Sequence, residues 1–461
     1  MLPRLLVAAL AAFVLVAAAC DDGGKSSPPS PVATAPPGDG TESPAPASAT
    51  AAPSWAPVAD GRLGTSTGRT LPIRAPDFAA LPGAKAYFGT IGRAGYRIEI
   101  PDDWNGGLVM YAHGFRPSGE DVYVSNPLGP LRGLFISQGF AWAASSYSEN
   151  FYVPGIGADD TMDLLAKFEA DFGRPERVYL VGESMGGNVV ALLLEHQPER
   201  FDGALAVCGA LGGQEEIDYL ASWAMVAEYL SGVEVPIGKG PAPMALALLT
   251  RMPAALGDPE SPTEAGERFR SVMRELTGGE RPFFEEGFAR QFQTNFALLI
   301  LDPDRRTAPV AAATNVGVEY DIGDDFGIGA DDVNGGVRRL AANPLARDGT
   351  AHPDAVPTTG RIERPLLTLH NTGDLFVPIT QEVAYKEKVE DAGKGDMLVQ
   401  RAIRDGGHCL FSDAEYTRAW NDLVRWVEDG EKPAGDDLTG DLRDIGKQFT
   451  EPRRAGDPGG R

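Results

Sequence analysis

The chain has 461 residues, of which 43% are apolar and 8% aromatic, and its 65 acidic side chains outnumber 41 basic ones. This apolar content can form a substantial core, which excludes a wholly disordered chain, and its distribution excludes a membrane protein with several spans. The net charge of −24 argues against capture of nucleic acid or anionic lipid, because both require clustered Lys and Arg.

The beginning of the chain has the pattern of an export signal. Arg4 precedes an apolar run from Leu5 to Ala19, which is shorter than the ~20 residues needed to cross a bilayer. Residues 1–19 are therefore a predicted signal peptide. Small residues precede Cys20, so either its thiol is lipidated, giving a cell-surface lipoprotein, or the peptide is simply cleaved and the protein is secreted. Membrane contact is expected only through that N-terminal lipid anchor.

Composition divides the rest of the chain into a folded unit between two polar ends. Residues 20–78 are rich in Pro, Ala and Ser and predict a disordered tether, because they cannot bury enough apolar area to offset chain entropy. Residues 433–461 are rich in Gly, Pro and polar side chains and predict a flexible tail. The folded unit is expected to comprise a core, residues 79–211 and 365–432, and an insertion, residues 212–364.

Short apolar runs alternate with helix-length segments across the predicted core, which indicates an α/β fold with a mostly parallel sheet flanked by helices. The expected strands are Leu108–Ala112, Phe140–Ser145, Arg177–Val181, Ala204–Val207, Leu366–His370 and Met397–Ile403. Ser412 and Glu415 form a capping-box pattern that predicts the start of the last helix.

The insertion lacks this alternation and contains helical stretches. It is too long for a loop, so we expect a mainly helical cap, most of whose aromatic and Met side chains form the cap's own core. Its acidic run at residues 321–334 does not match the spacing of an EF-hand loop and is expected to be a solvated loop.

The most informative motif is Gly-Glu-Ser-Met-Gly at residues 182–186, which follows a predicted buried strand and precedes an apolar helix. Flanking glycines are needed because a nucleophile on so tight a turn leaves no room for neighbouring Cβ atoms. The turn would project the Ser184 hydroxyl near a helix N-terminus, whose N–H groups favour developing negative charge. We interpret Ser184 as a nucleophile.

A serine nucleophile needs a positioned base and an acid that orients the base. Of five histidines, His408 has the most suitable setting, in a polar loop just beyond the last predicted strand. Asp374, at the carboxyl end of a strand, is the predicted acid. Glu183 and Asp405 are less favoured alternatives and are expected to be surface carboxylates.

Three motifs in order, GESMGG, GDLFVP and GGH, resemble those of α/β-hydrolase-fold serine esterases, and the resemblance covers about residues 90–430. It implies the α/β-hydrolase fold with a cap inserted after the strand that follows the nucleophile helix. The segment around His113 resembles the oxyanion loop of that superfamily. Carried over by position, the backbone N–H groups of Phe115 and Met185 would hold the oxyanion, and His113 would only shape the loop.

The same resemblance bears on the three cysteines. In this fold the positions of Cys208 and Cys409 both lie on the catalytic edge of the sheet, so a disulfide between them could pin the histidine loop. Two unpaired buried thiols are the alternative.

The resemblance implies hydrolysis of a small-molecule or polymeric carboxylic ester through an acyl-enzyme, with no cofactor and no metal. Two alternatives remain. One is a serine peptidase of the prolyl-peptidase kind, in which carboxylates of the cap bind the substrate amine; the candidates are Glu215, Glu216, Glu285 and Glu286. The other is a tethered binding protein with a degenerate site.

Overall fold

The computed structural model describes residues 62–64, 70–117, 119–235, 242–298, 312–324, 326–347 and 356–452. The predicted signal peptide, Cys20 and most of the predicted tether lie outside these residues, as does the end of the predicted tail. None of the described helices is both long and apolar enough to cross a lipid bilayer.

The secondary structure alternates between strands and helices along most of the chain. The strands are β1 (Ile73–Arg74), β2 (Ala84–Ile91), β3 (Ala94–Pro101), β4 (Gly107–Ala112), β5 (Val122–Tyr123), β6 (Ala141–Ser145), β7 (Arg177–Glu183), β8 (Gly203–Val207), β9 (Gly257–Asp258), β10 (Ser261–Pro262), β11 (Leu366–Asn371) and β12 (Leu398–Ile403). The helices are α1 (Leu131–Ser137), α2 (Pro154–Phe172), α3 (Met185–His196), α4 (Gln214–Ser231), α5 (Ala242–Leu256), α6 (Glu264–Leu276), α7 (Phe284–Leu298), α8 (Ala330–Gly336), α9 (Pro344–Arg347), α10 (Thr380–Asp391) and α11 (Asp413–Asp429).

An eight-stranded sheet lies at the centre of the molecule, in the order β12-β11-β8-β7-β4-β6-β3-β2. β2 pairs antiparallel with β3, and β3 with β6, whereas all other neighbours in this sheet pair in parallel. The six strands expected from the apolar runs are all present, each within two residues of its predicted bounds. The prediction of a mostly parallel sheet is therefore confirmed.

Helices cover both faces of the sheet. Side chains of α2, α3 and α10 pack on one face, and those of α1 and α11 pack on the other. Every residue of β4, β6, β8, β11 and β12 is consequently buried, which is why continuous apolar runs marked them in the sequence. β2 lies at the edge, where its exposure varies along the strand, and no apolar run marked it.

The capping box that predicted the last helix is present at the start of α11. The Glu415 backbone N–H donates to the Ser412 hydroxyl at 3.3 Å, and the Ser412 N–H donates to the Glu415 carboxylate at 2.7 Å. Two backbone donors at the helix start are thereby satisfied.

Between β8 and β11 the described chain forms the helices α4 to α9 and a short hairpin of β9 and β10. These elements have their own apolar core around Trp223, whose ring centroid lies 5.0, 5.8 and 5.9 Å from those of Phe269, Phe288 and Phe296. We refer to the described part of residues 212–364 as the helical insertion.

The fold begins earlier than the predicted end of the tether at residue 78. β1 pairs in parallel with β5, and the guanidinium groups of Arg132 and Arg97 lie 4.6 and 5.1 Å from the ring centroid of Phe78. The prediction is wrong for residues 70–78. Phe78 is attracted to the two guanidinium groups beside it, and the mean composition of a segment of about sixty residues does not show the effect of one aromatic side chain.

The prediction of a flexible tail is wrong for residues 433–452. Leu438, Leu442 and Phe449 are buried, and the Arg401 guanidinium lies 4.3 Å from the centroid of the Phe449 ring. Three apolar side chains attach this segment to the core, but they are too few to change its polar mean composition.

Candidate active site

The serine turn joins β7 to α3 with a strained backbone. Ser184 has a φ of 52°, in a region that non-glycine residues rarely occupy. A Cβ atom on Gly182 would lie 2.2 Å from the carbonyl oxygen of Gly186, and one on Gly186 would lie 2.0 Å from that of Ala112. Both flanking glycines are therefore required by close backbone approach, as the motif predicted.

The structure brings the three predicted catalytic side chains together. The Ser184 hydroxyl lies 2.9 Å from His408 Nε2, and His408 Nδ1 lies 2.6 Å from an Asp374 carboxylate oxygen. The other Asp374 oxygen accepts hydrogen bonds from the backbone N–H groups of Phe376 and Val377, at 2.9 and 3.1 Å. Ser184, Asp374 and His408 follow β7, β11 and β12, so all three lie at the carboxyl edge of the parallel strands.

Met185 and Phe115, whose backbone N–H groups are the predicted oxyanion donors, both lie near Ser184 in the sequence or in space. Met185 is the first residue of α3, so its N–H has no acceptor within the helix. Phe115 follows Gly114, and a Cβ atom on Gly114 would lie 3.1 Å from the Ser184 Cβ atom. The loop that carries Phe115 therefore lies directly beside the serine.

His113 has the loop-shaping position that was expected of it. Its ring is buried, stacks on Tyr147 with centroids 3.8 Å apart, and contacts the carbonyl oxygens of Gly114 and Ser146 at 2.7 and 3.1 Å. Burial lowers the pKa of His113 well below its ordinary value. The ring holds the Gly114 loop against the strand that ends at Ser145.

The two alternative acids are buried, so their interpretation as surface carboxylates is wrong. The Glu183 carboxyl accepts hydrogen bonds from the Tyr111 hydroxyl and, at 3.2 Å, from the Gly114 N–H. Asp405 accepts the backbone N–H of Gly407 at 2.9 Å, inside the loop that carries the predicted base. Each forms a hydrogen bond within a loop beside the serine.

Burial raises the pKa of the Glu183 carboxyl to about 7. The residue before the nucleophile ends a strand covered on both faces, so its side chain cannot reach water. The position of Glu183 at the end of a buried strand was the sequence signal for this placement. Its hydrogen bond with Gly114 links the serine turn to the neighbouring loop.

The predicted disulfide between Cys208 and Cys409 is present, with the two Cα atoms 5.2 Å apart and 201 residues between the cysteines in sequence. Cys208 follows β8, and Cys409 follows the predicted base. The bond therefore ties the histidine loop to the sheet, and closing so long a loop stabilises the fold by about 5 kcal/mol in the chain-entropy model.

Comparison with known proteins points to the same chemistry. A family model described as serine aminopeptidase, S33, matches residues 150–258, which include the serine turn. The o-phthalyl amidase of Xanthobacter agilis is 22% identical over 403 residues, which are 74% of this chain and 86% of that protein.

The chain is a serine hydrolase of the α/β-hydrolase fold. Solved structures similar to it include feruloyl esterase B from Aspergillus oryzae, at 13% identity and a TM-score of 0.43, covering 75% of this chain and 80% of that one. Another is the acylaminoacyl peptidase of Pyrococcus horikoshii, at 12% identity and a TM-score of 0.36, covering 70% of this chain and 37% of that one.

In this hydrolase the helical insertion forms hydrogen bonds with the turn that carries Asp374. The carbonyl oxygen of Leu375 accepts hydrogen bonds from the Tyr219 hydroxyl and the Asn295 amide, both at 2.6 Å. The Leu375 N–H in turn donates to the Gln291 side chain. Side chains of α4 and α7 thus satisfy both backbone groups of the residue after the predicted acid.

A second set of contacts supports the same turn. The buried Arg281 donates to the carbonyl oxygen of Thr372 at 2.7 Å, and burial lowers the pKa of its guanidinium to about 10. A Cβ atom on Gly287 would lie 1.6 Å from the carbonyl oxygen of Gly373, so only glycine fits there. The insertion is therefore part of the support for the acid, a role that sequence patterns did not indicate.

Four carboxylates of the insertion were candidates for binding a substrate amine, and three are already paired with cations. Glu215 lies 2.8 Å from Lys388. Glu285 and Glu286 lie 3.3 and 2.8 Å from Arg270 and Arg290. Among the described residues, the fourth has no ion-pair partner, and its position is considered below.

Proposed function

We propose that the protein hydrolyses carboxylic esters through an acyl-enzyme formed on Ser184. The observation that supports this most directly is the continuous hydrogen-bond chain from Asp374 through His408 to the Ser184 hydroxyl. His408 takes the serine proton as the hydroxyl attacks the ester carbonyl, and Asp374 orients the imidazole and stabilises the imidazolium that forms.

The backbone N–H groups of Phe115 and Met185 would stabilise the oxyanion of the tetrahedral intermediate. Loss of one such donor typically costs about 3 kcal/mol of transition-state stabilisation. His408 then returns its proton to the leaving alcohol, and water, activated by the same imidazole, releases the acid from Ser184.

Hydrolysis of an amide is the second candidate. It is favoured by the 22% identity to a protein named o-phthalyl amidase and by the match to a serine aminopeptidase model. Capture of a free N-terminus is less well supported, because Lys388, Arg270 and Arg290 already neutralise three of the four candidate carboxylates. A tethered protein without activity would not need the hydrogen-bonded triad.

Purified protein should be labelled by a fluorophosphonate probe and should hydrolyse p-nitrophenyl esters. We expect Ser184→Ala to abolish both, and a Ser222→Ala variant, which changes a buried serine of α4, to retain both. A panel of esters and matched p-nitroanilides then separates the two candidates. Hydrolysis of the esters but not of the anilides supports an esterase. Comparable kcat/KM for both series supports an amidase. Labelling that persists in Ser184→Ala refutes the nucleophile.

Export and lipidation through Cys20 remain part of this proposal. The support is the apolar run that ends in Ala-Ala-Ala before Cys20. Expression in a bacterial host with radiolabelled palmitate should give a labelled membrane fraction, and Cys20→Ser should remove the label. A wild-type protein that is exported without label indicates simple cleavage and secretion.

A further inference from the structure

A second polar cluster lies beside the serine, where the core meets the helical insertion. Tyr152 lies between two contacts with the proposed oxyanion residues. The ring of Phe151 packs on that of Phe115 with centroids 5.1 Å apart, and the Val153 N–H donates to the Met185 sulfur at 3.1 Å. Tyr152 is therefore held next to the site of acyl transfer.

Helix α4 brings Glu216 to the same place. The loop before α4 touches the nucleophile turn, where the Ala210 N–H donates to the Ser184 carbonyl oxygen at 3.0 Å. The Glu216 N–H then donates to the Gly213 carbonyl oxygen at 3.2 Å. Electrostatic interactions connect the Glu216 carboxyl with both Tyr152 and Asp374.

Buried polar atoms in this cluster have no partners. Among the described residues, nothing forms a hydrogen bond with the Tyr152 hydroxyl, one carboxyl oxygen of Glu216 or the Asn188 amide nitrogen. Asn188 belongs to α3, and a Cβ atom on Gly213 would lie 3.2 Å from its amide nitrogen. Folded proteins retain few buried polar groups without partners, so three of them from separate segments of the chain beside one nucleophile indicate a missing ligand.

We propose that Tyr152 and Glu216 form a subsite that binds an uncharged hydroxyl or carboxamide group of the substrate. The proposal rests on the hydrolase function proposed above. Burial raises the pKa of both side chains well above their ordinary values, and the nearby Asp374 acts in the same direction on Glu216. Both are therefore uncharged near neutral pH, and each can donate and accept a hydrogen bond. A ligand group that also donates and accepts without charge satisfies both.

Binding to Ser184→Ala protein tests the subsite without turnover. We would measure by calorimetry the affinities of phenylpropanamide and of its ortho-, meta- and para-hydroxy forms, with the para-aminomethyl form as a cationic competitor. The best hydroxy form should bind about tenfold more tightly than the parent amide, as expected for satisfying a buried hydrogen-bonding group. Tyr152→Phe and Glu216→Leu, each added to Ser184→Ala, should bring the ratio of these two affinities, hydroxy form to parent amide, close to one.

Two further variants make the result specific. Glu216→Gln should keep the preference, because a carboxamide is uncharged and also donates and accepts. Tyr385→Phe, which removes a buried hydroxyl bonded to Glu195, should keep it too. The proposal is overturned if no hydroxy form is preferred, if the ratio survives Tyr152→Phe and Glu216→Leu, or if the aminomethyl form binds most tightly. Hydrolysis of the p-nitrophenyl ester of phenylpropanoate by wild type reports separately on the proposed function.

Discussion

Asn295, in the helical insertion, donates a 2.6 Å hydrogen bond to the carbonyl oxygen of Leu375, the residue that follows the predicted acid Asp374. The acid turn is therefore built from two parts of the chain, the strand β11 that precedes it and the insertion that lies on it. A helical insertion that merely covered the serine would not need to bond to the backbone at this position.

Asn295→Leu should therefore lower kcat more than it raises KM. The change removes a buried donor from Leu375 and lets Asp374 drift from His408, and misplaced catalytic groups slow the chemical step. We expect kcat to fall about tenfold. The free energy of unfolding should fall by about 0.5–1.5 kcal/mol, the net contribution of one hydrogen bond, because Tyr219 still donates to Leu375. Steady-state kinetics on a p-nitrophenyl ester and urea denaturation measure the two effects.

Asn334→Leu is the matched control within the insertion. Its amide donates to the carbonyl oxygens of Tyr320 and Ala330, neither of which belongs to the acid turn. This variant should lose comparable stability and keep its kcat. If both variants lose kcat equally, the insertion acts through its general stability and not through the acid turn.

The triad predicts strongly non-additive effects. Ser184→Ala or His408→Ala alone should lower kcat by about 10⁴-fold or more, and the double variant should be little worse than either, because the residues act as a unit. Asp374→Asn should also lower kcat by about 10⁴-fold through loss of the orienting carboxylate. Single-turnover kinetics with an activated ester measure each step, and losses that multiply in the double variant contradict a shared mechanism.

Much of this arrangement could be predicted from the sequence, because it depends on local patterns. Apolar runs marked the parallel strands, since both faces of those strands are buried. The glycines around Ser184 and the order of Asp374 and His408 after it indicated the triad. In each case a few adjacent residues carry the information.

Features that depend on long-range packing could not be predicted in this way. Asp405 has polar neighbours in sequence, yet packing of distant segments excludes water from it. The hydrogen bond from Asn295 to Leu375 joins residues 80 positions apart. In the sequence Leu438 is an isolated apolar residue in a polar tail. Only the fold shows the apolar cluster against which it packs.

Glu183 should make stability depend on pH. Burial raises the pKa of its carboxyl from 4.5 to about 7. Between these two pH values the folded protein keeps a proton that the unfolded chain has released, so each rise in pH favours unfolding. The contribution of Glu183 to the free energy of unfolding should therefore fall by about 3 kcal/mol as pH rises from 4.5 to 7.

Glu183→Gln removes the titration of this carboxyl and leaves the titrations of the other ionisable groups unchanged. Urea denaturation between pH 4.5 and 8 should show the variant gaining stability relative to wild type as pH rises, with the difference levelling off above pH 7. Asp160→Asn should show the same sign over a window that ends near pH 6, because burial raises the pKa of that carboxyl to about 6. A difference that stays constant with pH would mean that Glu183 ionises normally in the folded protein.

The disulfide should contribute to both stability and activity. Cys208→Ser combined with Cys409→Ser should lower the free energy of unfolding by about 2–5 kcal/mol, because the long loop is no longer closed in the unfolded chain. Activity should also fall, since Cys409 is adjacent to His408 and the bond fixes the histidine loop to the sheet beyond β8. Urea titrations and ester kinetics, each with and without a phosphine reductant, measure both effects. The reductant should shift wild type towards the double variant and leave the double variant unchanged. Wild type that is fully active after complete reduction would show that packing alone positions His408.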